Sequence, residues 1–247
     1  MAWPLPPVAT LFLLVILAGI LVIAISKALD HIWARVLPAR WLYYGIALPG
    51  VVVHECAHVL GCLITGARVK TIVLFSRDGG SVTYQPPAVP VLGTIIISTA
   101  PLFLIPLVLA GLTWLFGTYA GCSLSVPAFL PGSPATALAL VTGSGLVLWQ
   151  NLVVQFNGWF LLYLYLTLSL VLSCAPSRQD IKNAAAGIAI LAGAGLLIIW
   201  SSVDVLVALL STLLQLIATG LALGLTFEIL AILVSLPALI AYSLREG

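Results

Sequence analysis

The stretch from Leu48 to Ala67, LPGVVVHECAHVLGCLITGA, decides how the rest of the sequence is interpreted. It is almost wholly apolar, yet it contains His54, Glu55 and His58. Ionisable side chains are costly within a membrane span and usually have a function there. The chain has only three histidines and seven acidic residues, and three of these ten groups fall within five positions. That concentration favours a functional site over a buried histidine pair that merely holds helices together through an ion pair with Glu55.

The composition around this stretch is that of a polytopic membrane protein. Of the 247 residues, 62% are hydrophobic and 6% are charged, with a mean hydropathy of +1.25, whereas soluble domains carry about 25% charged residues. Apolar runs near 20 residues recur, and each can cross a hydrocarbon core of roughly 30 Å. We therefore predict an all-α protein of six to eight transmembrane helices in a lipid bilayer. The small, scattered net charge of +2 does not indicate a nucleic-acid partner.

The apolar runs predict where the spans lie. A polar linker over 27–40 and an uncharged loop over 117–134 separate several of them. The predicted spans are 8–26, 41–65, 91–116, 135–174 with a break near 150–157, 184–200, and 204–242 as two crossings that turn near Gly220 to Gly224.

A β-hairpin is predicted directly after the second span. Two β-branched runs, 69–75 and 81–84, flank the turn residues Asp78, Gly79 and Gly80. Asp-Gly between two such runs is a strong hairpin signal. This is either an ordinary surface hairpin between helices or, beside a membrane active site, an edge that can pair with an extended peptide.

The spacing of the two histidines predicts a metal site. His54 and His58 are four residues apart and therefore lie on one face of a helix. Two neutral imidazoles placed in this way can share one zinc ion, which binds nitrogen at about 2 Å. Glu55 does not need to bind the metal, because it can instead take a proton from the water that the zinc activates and later deliver it to a leaving amine. This is the mechanism associated with the H-E-x-x-H pattern.

A transmembrane HExxH helix, followed at once by a hairpin and then by further spans, resembles the site-2 protease family of intramembrane zinc metalloproteases. The similarity covers 41–84 well and 157–188 loosely. It implies an endopeptidase with one zinc ion per chain that cleaves transmembrane segments of membrane proteins. It also implies a third zinc ligand, an aspartate on a later helix, usually in an N-x-x-P…L-D-G setting. This sequence has no LDG, and its best counterpart is CAPSRQD, which places that role on Asp180.

The third ligand has alternatives. Ser177-x-x-Asp180 is also a pattern for capping the start of a helix, a role that does not exclude metal binding. Glu228, within LTFEILAIL, is the rival ligand, and it would make the chain similar to membrane-bound prenyl-protein peptidases. Their Glu-x-x-x-Asp signature is missing, since Ile232 stands at the final position. A non-catalytic metal-binding protein, such as a channel, a transporter or a scaffold, is the remaining alternative.

Smaller polar features receive narrower interpretations. Asn157 is a candidate for holding a substrate strand or for orienting Asp180, although clustered amides in a bundle usually bond between helices. Cys62 continues the histidine face and is expected to be a packing residue. His31 is expected at the membrane interface, and Asp204 as a helix cap.

The domain organisation and orientation follow from the same reasoning. We treat 1–247 as a single integral membrane domain with a catalytic core over 41–200. Within that core, 41–65 is the metal-binding helix and 68–84 is the hairpin, while 201–247 forms the C-terminal helices. The segments 27–40 and 68–78 each carry three basic residues and one acidic residue, so the positive-inside rule does not choose between them. The family resemblance implies that the hairpin and the zinc face the cytosol, in a multi-pass protein of the cell membrane.

Overall fold

The computed structural model describes residues 7–74 and 79–246, and the chain within these ranges is mainly helical. Two short antiparallel strands, β1 and β2, interrupt the helices after the second one. A five-residue π-helical segment, Gln150–Val154, extends the fourth helix. The elements are α1 Pro7–Val36, α2 Arg40–Thr65, β1 Val69–Val73, β2 Ser81–Tyr84, α3 Pro90–Tyr119, α4 Pro134–Trp149, α5 Gly158–Leu172, α6 Arg178–Ser201, α7 Asp204–Val234 and α8 Leu236–Glu246.

The prediction of an all-α membrane protein with a small hairpin is confirmed. Within the described residues, six helices are long and apolar enough to cross a membrane, namely α1, α2, α3, α4 with its π-helical extension, α6 and α7. The largest buried cluster joins side chains from α1, α3, α5 and α7. Large apolar side chains such as Leu107, Leu197 and Leu209 remain exposed on the outside, as expected of a surface that contacts lipid.

The hairpin has the predicted position and a longer connection than predicted. Val69 pairs with Tyr84 and Val73 with Ser81, with an irregularity in register between Val69 and Thr71. The first strand therefore ends at Val73, earlier than the sequence pattern predicts. Part of the predicted Asp-Gly-Gly turn, including Asp78, lies outside the described residues.

The predicted polar linker over 27–40 is wrong, because α1 continues to Val36. Two side chains of this segment, Asp30 and Trp33, have hydrogen-bond partners elsewhere in the bundle. The Tyr43 hydroxyl of α2 donates to the Asp30 carboxylate, and Trp33 Nε1 donates to Ser235 Oγ at 2.9 Å. Since these bonds satisfy the polar side chains within the bundle, the helix need not end where they begin. The ring of His31 lies against that of Tyr242, 6.4 Å between centroids.

The predicted turn near Gly220 and Gly224 is also wrong, because α7 passes through both glycines without a break. The two residues are packing positions. A Cβ atom on Gly224 would lie 3.4 Å from Pro106 Cγ and 3.5 Å from Val22 Cγ2. Small residues let membrane helices approach closely, so glycine here brings α7 against α1 and α3.

The break expected near 150–157 is present between α4 and α5. It is built around Asn151, whose side chain accepts from Ser123 N–H at 2.8 Å and donates to Ser123 O at 2.9 Å. Gln155 Nε2 donates to Ser123 Oγ at 2.7 Å. These amides tie the uncharged loop after α3 to the end of α4, which is a structural role.

The helix that carries the histidines is fixed against α5 one turn before His54. Pro49 has no N–H, so the Gly45 carbonyl lacks its helical donor; the Tyr165 hydroxyl donates to it instead, at 2.7 Å. Gly50 N–H donates to Ser169 Oγ at 2.9 Å. Both bonds join α2 to α5, so the backbone of α2 is anchored immediately before the turn that carries His54.

This contact predicts that Gly50→Ala lowers stability. A Cβ at position 50 would lie 2.0 Å from Ser169 O and 2.7 Å from its carbonyl carbon, and backbone atoms cannot rotate away. We expect a loss of about 1–3 kcal/mol from overpacking, seen as a lower thermal midpoint in detergent by circular dichroism. Gly45→Ala is the matched control, because nothing lies within 4 Å of its Cβ position. Equal midpoints for the two variants would contradict the predicted close contact.

Candidate metal centre

Three side chains from two helices converge inside the helical bundle. His54 and His58 lie on one face of α2, and Asp180 lies in the first turn of α6. His54 Nε2 is 3.2 Å from His58 Nε2, and His58 Nε2 is 3.5 Å from Asp180 Oδ2. One possible ligand atom from each of the three residues lies within 4.8 Å of the others. Among the described residues this is the group of histidine, cysteine and acidic side chains that could hold a metal ion.

The orientation of both rings is set by backbone carbonyls. His54 Nδ1 lies 2.6 Å from Ser173 O, just after the end of α5. His58 Nδ1 lies 2.8 Å from Ile97 O, within α3. A carbonyl oxygen can only accept, so each Nδ1 carries the hydrogen. In a neutral imidazole the Nε2 atom is then unprotonated, and its lone pair points at the other ring.

The donor atoms fit a divalent metal ion. When both rings are neutral, two Nε2 lone pairs and a carboxylate oxygen face one another without a hydrogen between them. A cation bound among them removes this repulsion. In a tetrahedral zinc site with bonds of about 2.0–2.1 Å, neighbouring ligand atoms are about 3.3–3.4 Å apart. Two separations between these atoms, 3.2 and 3.5 Å, fall on either side of that value, and all three atoms lie within 4.8 Å of one another. His54, His58 and Asp180 therefore fit zinc in atom type, and two of their three separations match its spacing.

Asp180 also caps its own helix. The Ser177 hydroxyl accepts from Asp180 N–H at 3.1 Å, while Asp180 Oδ2 accepts from Ser177 N–H at 2.9 Å and from its hydroxyl at 2.6 Å. This is the reciprocal capping box that the Ser-x-x-Asp pattern predicts. The box also holds the carboxylate near His58, so the structural role and the position beside the histidines do not conflict.

Glu55 lies next to this group and under the hairpin. Its side chain is buried, and it interacts electrostatically with both His58 and Asp180. The backbone of Gly80, one residue before β2, packs directly on it: a Cβ at position 80 would lie 2.4 Å from Glu55 Cγ and 2.7 Å from Oε1. The missing side chain at position 80 is what lets the hairpin rest on the Glu55 carboxyl group.

The base of the hairpin packs on the same part of the bundle. Tyr84, the last residue of β2, and Val69 of β1 pack against a small buried cluster of Cys62, Ala67 and Ile97. Partial burial raises the pKa of the Tyr84 phenol, which therefore stays a neutral hydroxyl. Cys62 is completely buried in this cluster, in line with the packing role expected for it.

The other candidates from the sequence lie apart from the metal group. Asn157 caps α5, where its Oδ1 accepts from Trp159 N–H at 3.0 Å and its Nδ2 donates to Ala120 O at 2.8 Å. Ser173, which contacts His54, follows the opposite end of α5, and a helix of 15 residues spans about 22 Å. Glu228 lies on α7 and is not part of the group that could hold a metal.

The chain was also compared with known proteins. Residues 20–130 match the family model described as Peptidase M50B-like. The matched part is a little under half of the chain; it contains all of α2, the hairpin and α3, and it ends before Asp180. The match supports membership of the site-2 protease family. No curated protein and no solved structure matches the chain.

Six candidate membrane spans among the described residues make the chain an integral membrane protein, and the peptidases of the matched family depend on zinc. Sequence reasoning missed the groups that position the candidate site residues, because they are backbone atoms: Ser173 O and Ile97 O beside the histidines, and the Gly80 main chain against Glu55. Both carbonyls had a local signal: the last carbonyls of any helix lack helical donors, and Ile97 stands four residues before Pro101, which has no N–H.

The contact between Glu55 and Gly80 predicts a cross-link. A Cβ at position 80 would lie 2.4 Å from Glu55 Cγ. The Glu55 Cβ is one carbon–carbon bond, about 1.5 Å, from that Cγ. The two Cβ atoms therefore lie at most about 3.9 Å apart. Disulfides need about 3.5–4.5 Å. The double variant Glu55→Cys, Gly80→Cys should therefore form a disulfide under a mild oxidant, seen as two fewer thiols that react with maleimide after denaturation.

Gly80→Cys alone is the control for this cross-link. In that variant the neighbouring natural thiol on α2 is Cys56, whose side chain is exposed. The Gly80→Cys variant should stay reduced under the same oxidant. Equal oxidation of the single and double variants, or none in either, would mean that the hairpin does not rest on Glu55.

Proposed function

We propose that this protein is an intramembrane zinc-dependent endopeptidase that cleaves transmembrane segments of membrane proteins. The observation that carries the proposal is the grouping of His54, His58 and Asp180 within 4.8 Å beside the buried carboxyl group of Glu55. His54, His58 and Asp180 are the proposed ligands of one zinc ion per chain. Zinc bound there would supply Lewis acidity and lower the pKa of water from about 15.7 towards 7.

Glu55 is the proposed general base and acid. Its carboxylate accepts a proton from the water that attacks the peptide carbonyl, and it returns that proton to the amine nitrogen as the carbon–nitrogen bond breaks. Two features support this role. Glu55 adjoins His54 in α2, and it interacts electrostatically with His58 and Asp180 while lying outside the ligand group.

The substrate class follows from the surroundings of the site. A peptide bond in a transmembrane helix is shielded by helical hydrogen bonds, so the helix must unwind locally before it can be cut. Unwound backbone in lipid needs new partners. The residues of β1 after Val69 are exposed, and an exposed strand can pair with an extended peptide through its main chain. The hairpin is the proposed place where an unwound substrate segment binds.

Several finer assignments belong to the same proposal. The catalytic core is placed at 41–200, within a single membrane domain, and the site is placed nearer the cytosolic side of the cell membrane. Asn157 is kept as a candidate for substrate contact at the far end of α5. Its hydrogen bonds to Ala120 and Trp159 support a capping role at the same position.

The alternative zinc site with Glu228 as third ligand is less well supported. Glu228 is 1% exposed on α7, and neither of its carboxyl oxygens has a hydrogen-bond partner among the described residues. It does not share a ligand group with His54 and His58. Asp180 is therefore the better candidate for the third ligand.

Glu55→Gln tests the proposed chemistry. The variant should retain one zinc ion per chain, because the proposed ligands are intact, and it should lose cleavage of a transmembrane substrate in liposomes. General acid–base catalysis contributes about 10²–10⁴-fold to rate, so a loss of that size is expected. His54→Ala is the comparison: it should lose zinc, by elemental analysis, as well as activity. Cleavage by Glu55→Gln at the wild-type rate would refute the mechanism.

The Asp180→Asn variant distinguishes a zinc-ligand role of Asp180 from a helix-capping role. Asparagine caps helices about as well as aspartate, and its side-chain oxygen can still accept from Ser177, so the thermal midpoint should hardly change. Loss of an anionic oxygen ligand should reduce zinc content and abolish cleavage. Glu228→Gln is the matched control and should keep both zinc and activity. The reverse pattern, a silent Asp180→Asn and an inactive Glu228→Gln without zinc, would move the third ligand to α7.

A further inference from the structure

We propose that Pro101 is a positioning residue for the metal centre, because it makes the carbonyl of Ile97 available to hold the ring of His58. The inference rests on the proposed function, since it concerns the same site. Pro101 lies in the interior of α3, well away from either end of that helix. It is buried and belongs to no catalytic motif.

The release of the Ile97 carbonyl follows from helix geometry. In an α-helix the N–H of residue 101 would donate to the carbonyl of residue 97, four positions earlier. Proline has no N–H, and its ring clashes with that same carbonyl and tilts it away from the helix axis. Ile97 O is therefore a carbonyl in the middle of a membrane span without its helical donor. In lipid such a group is costly unless another donor reaches it.

The donor that reaches it is His58. Its Nδ1 lies 2.8 Å from Ile97 O. The approach of the two helices is close at this level, because a Cβ on Gly61 would lie 2.9 Å from Ile97 Cα. Gly61 thus brings the α3 backbone up to α2, and Pro101 leaves one carbonyl there without a helical donor. Together they fix which nitrogen of His58 faces the metal.

The ring of His54 is held by a carbonyl that is available without a proline. The effect of Pro101 can therefore be tested on His58 alone. Ser173 follows the last residue of α5, where carbonyls lack helical donors in any sequence. His54 therefore needs no proline for its partner. An interior carbonyl such as Ile97 O becomes available only if a residue four positions later lacks an N–H, so position 101 is where a substitution should act on His58 alone.

Pro106 provides a matched control within the same helix. It is also buried in the interior of α3. The carbonyl it releases is that of Leu102, which makes no hydrogen bond to His54, His58 or Asp180 in the part of the chain that the structure describes. Pro101→Ala and Pro106→Ala remove the same atoms from similar surroundings. Only the first restores an N–H that competes with His58 for its carbonyl.

The first measurement is zinc affinity, determined by competition with a chelator in detergent. Loss of a hydrogen-bond partner behind a metal-bound histidine typically weakens metal binding 10–100-fold. Pro101→Ala should therefore raise the zinc dissociation constant about 10-fold or more, whereas Pro106→Ala should leave it close to that of the wild type. Pro101→Val supplies the same N–H with a bulkier side chain, and it should agree with Pro101→Ala.

The second measurement needs neither zinc nor activity. The chain has only three histidines, His31, His54 and His58, so ¹⁵N-histidine spectra of the metal-free protein are simple to assign. Pro101→Ala should shift the Nδ1–H signal of His58 and leave that of His54 in place. Pro106→Ala should shift neither.

The outcomes distinguish this inference from the proposed function. A wild-type protein that binds no zinc would overturn both. A wild type that binds zinc, with unchanged affinity and an unchanged His58 signal in the Pro101 variants, would overturn the inference alone. Equal weakening by Pro101→Ala and Pro106→Ala would also overturn it, because the cause would then be a general change in α3.

Discussion

Two hydrogen bonds from imidazole Nδ1 atoms to backbone carbonyls hold the centre of this protein together. Each histidine ring carries one N–H that needs an acceptor, and the carbonyls of Ile97 and Ser173 lie at hydrogen-bond distance from these N–H groups inside the bundle. Each of the two bonds satisfies one ring N–H and one backbone carbonyl. Together they also turn both Nε2 lone pairs towards one point, where Asp180 Oδ2 lies. A ring free to rotate would not keep these three atoms close enough together to share a metal.

The same two bonds constrain how the helices pack. The carbonyls belong to α3 and to the end of α5, so α2 must touch both neighbours within about one helical turn. Glycine allows each contact: Gly50 meets the backbone at Ser169, and Gly61 meets the backbone at Ile97. In lipid, where apolar burial contributes little to helix association, close backbone contact and interhelical hydrogen bonds are the main attractive terms. The position of the metal-binding turn is therefore a consequence of the packing of α2.

How much the sequence predicts depends on how local each signal is. The HECAH spacing is local, which is why the sequence indicated His54 and His58. Asp180 was implied by the family resemblance, and its Ser177-x-x-Asp180 cap is a second local signal at the same residue. The polar residues of 27–40 suggested a linker because their partners, such as Ser235 for Trp33, lie some 200 residues away. Likewise, Gly220 and Gly224 suggested a turn because their packing partners are on other helices. The Gly80 contact with Glu55 has no local signature at all.

The half-buried Asp180 and the buried Glu228 show why position in a helix affects which carboxylate is prepared to bind a cation. Asp180 stands at a helix start, where Ser177 N–H and O–H donate to it and the helix dipole favours negative charge. Glu228 stands mid-helix, with neither oxygen bonded among the described residues. An unpaired charge in such a place costs several kcal/mol, so nothing around Glu228 prepares it as an anionic ligand. At Asp180 the capping bonds that stabilise α6 also stabilise the charge that a metal needs. Without the usual LDG setting, the chain therefore still places a hydrogen-bonded carboxylate beside the two histidines.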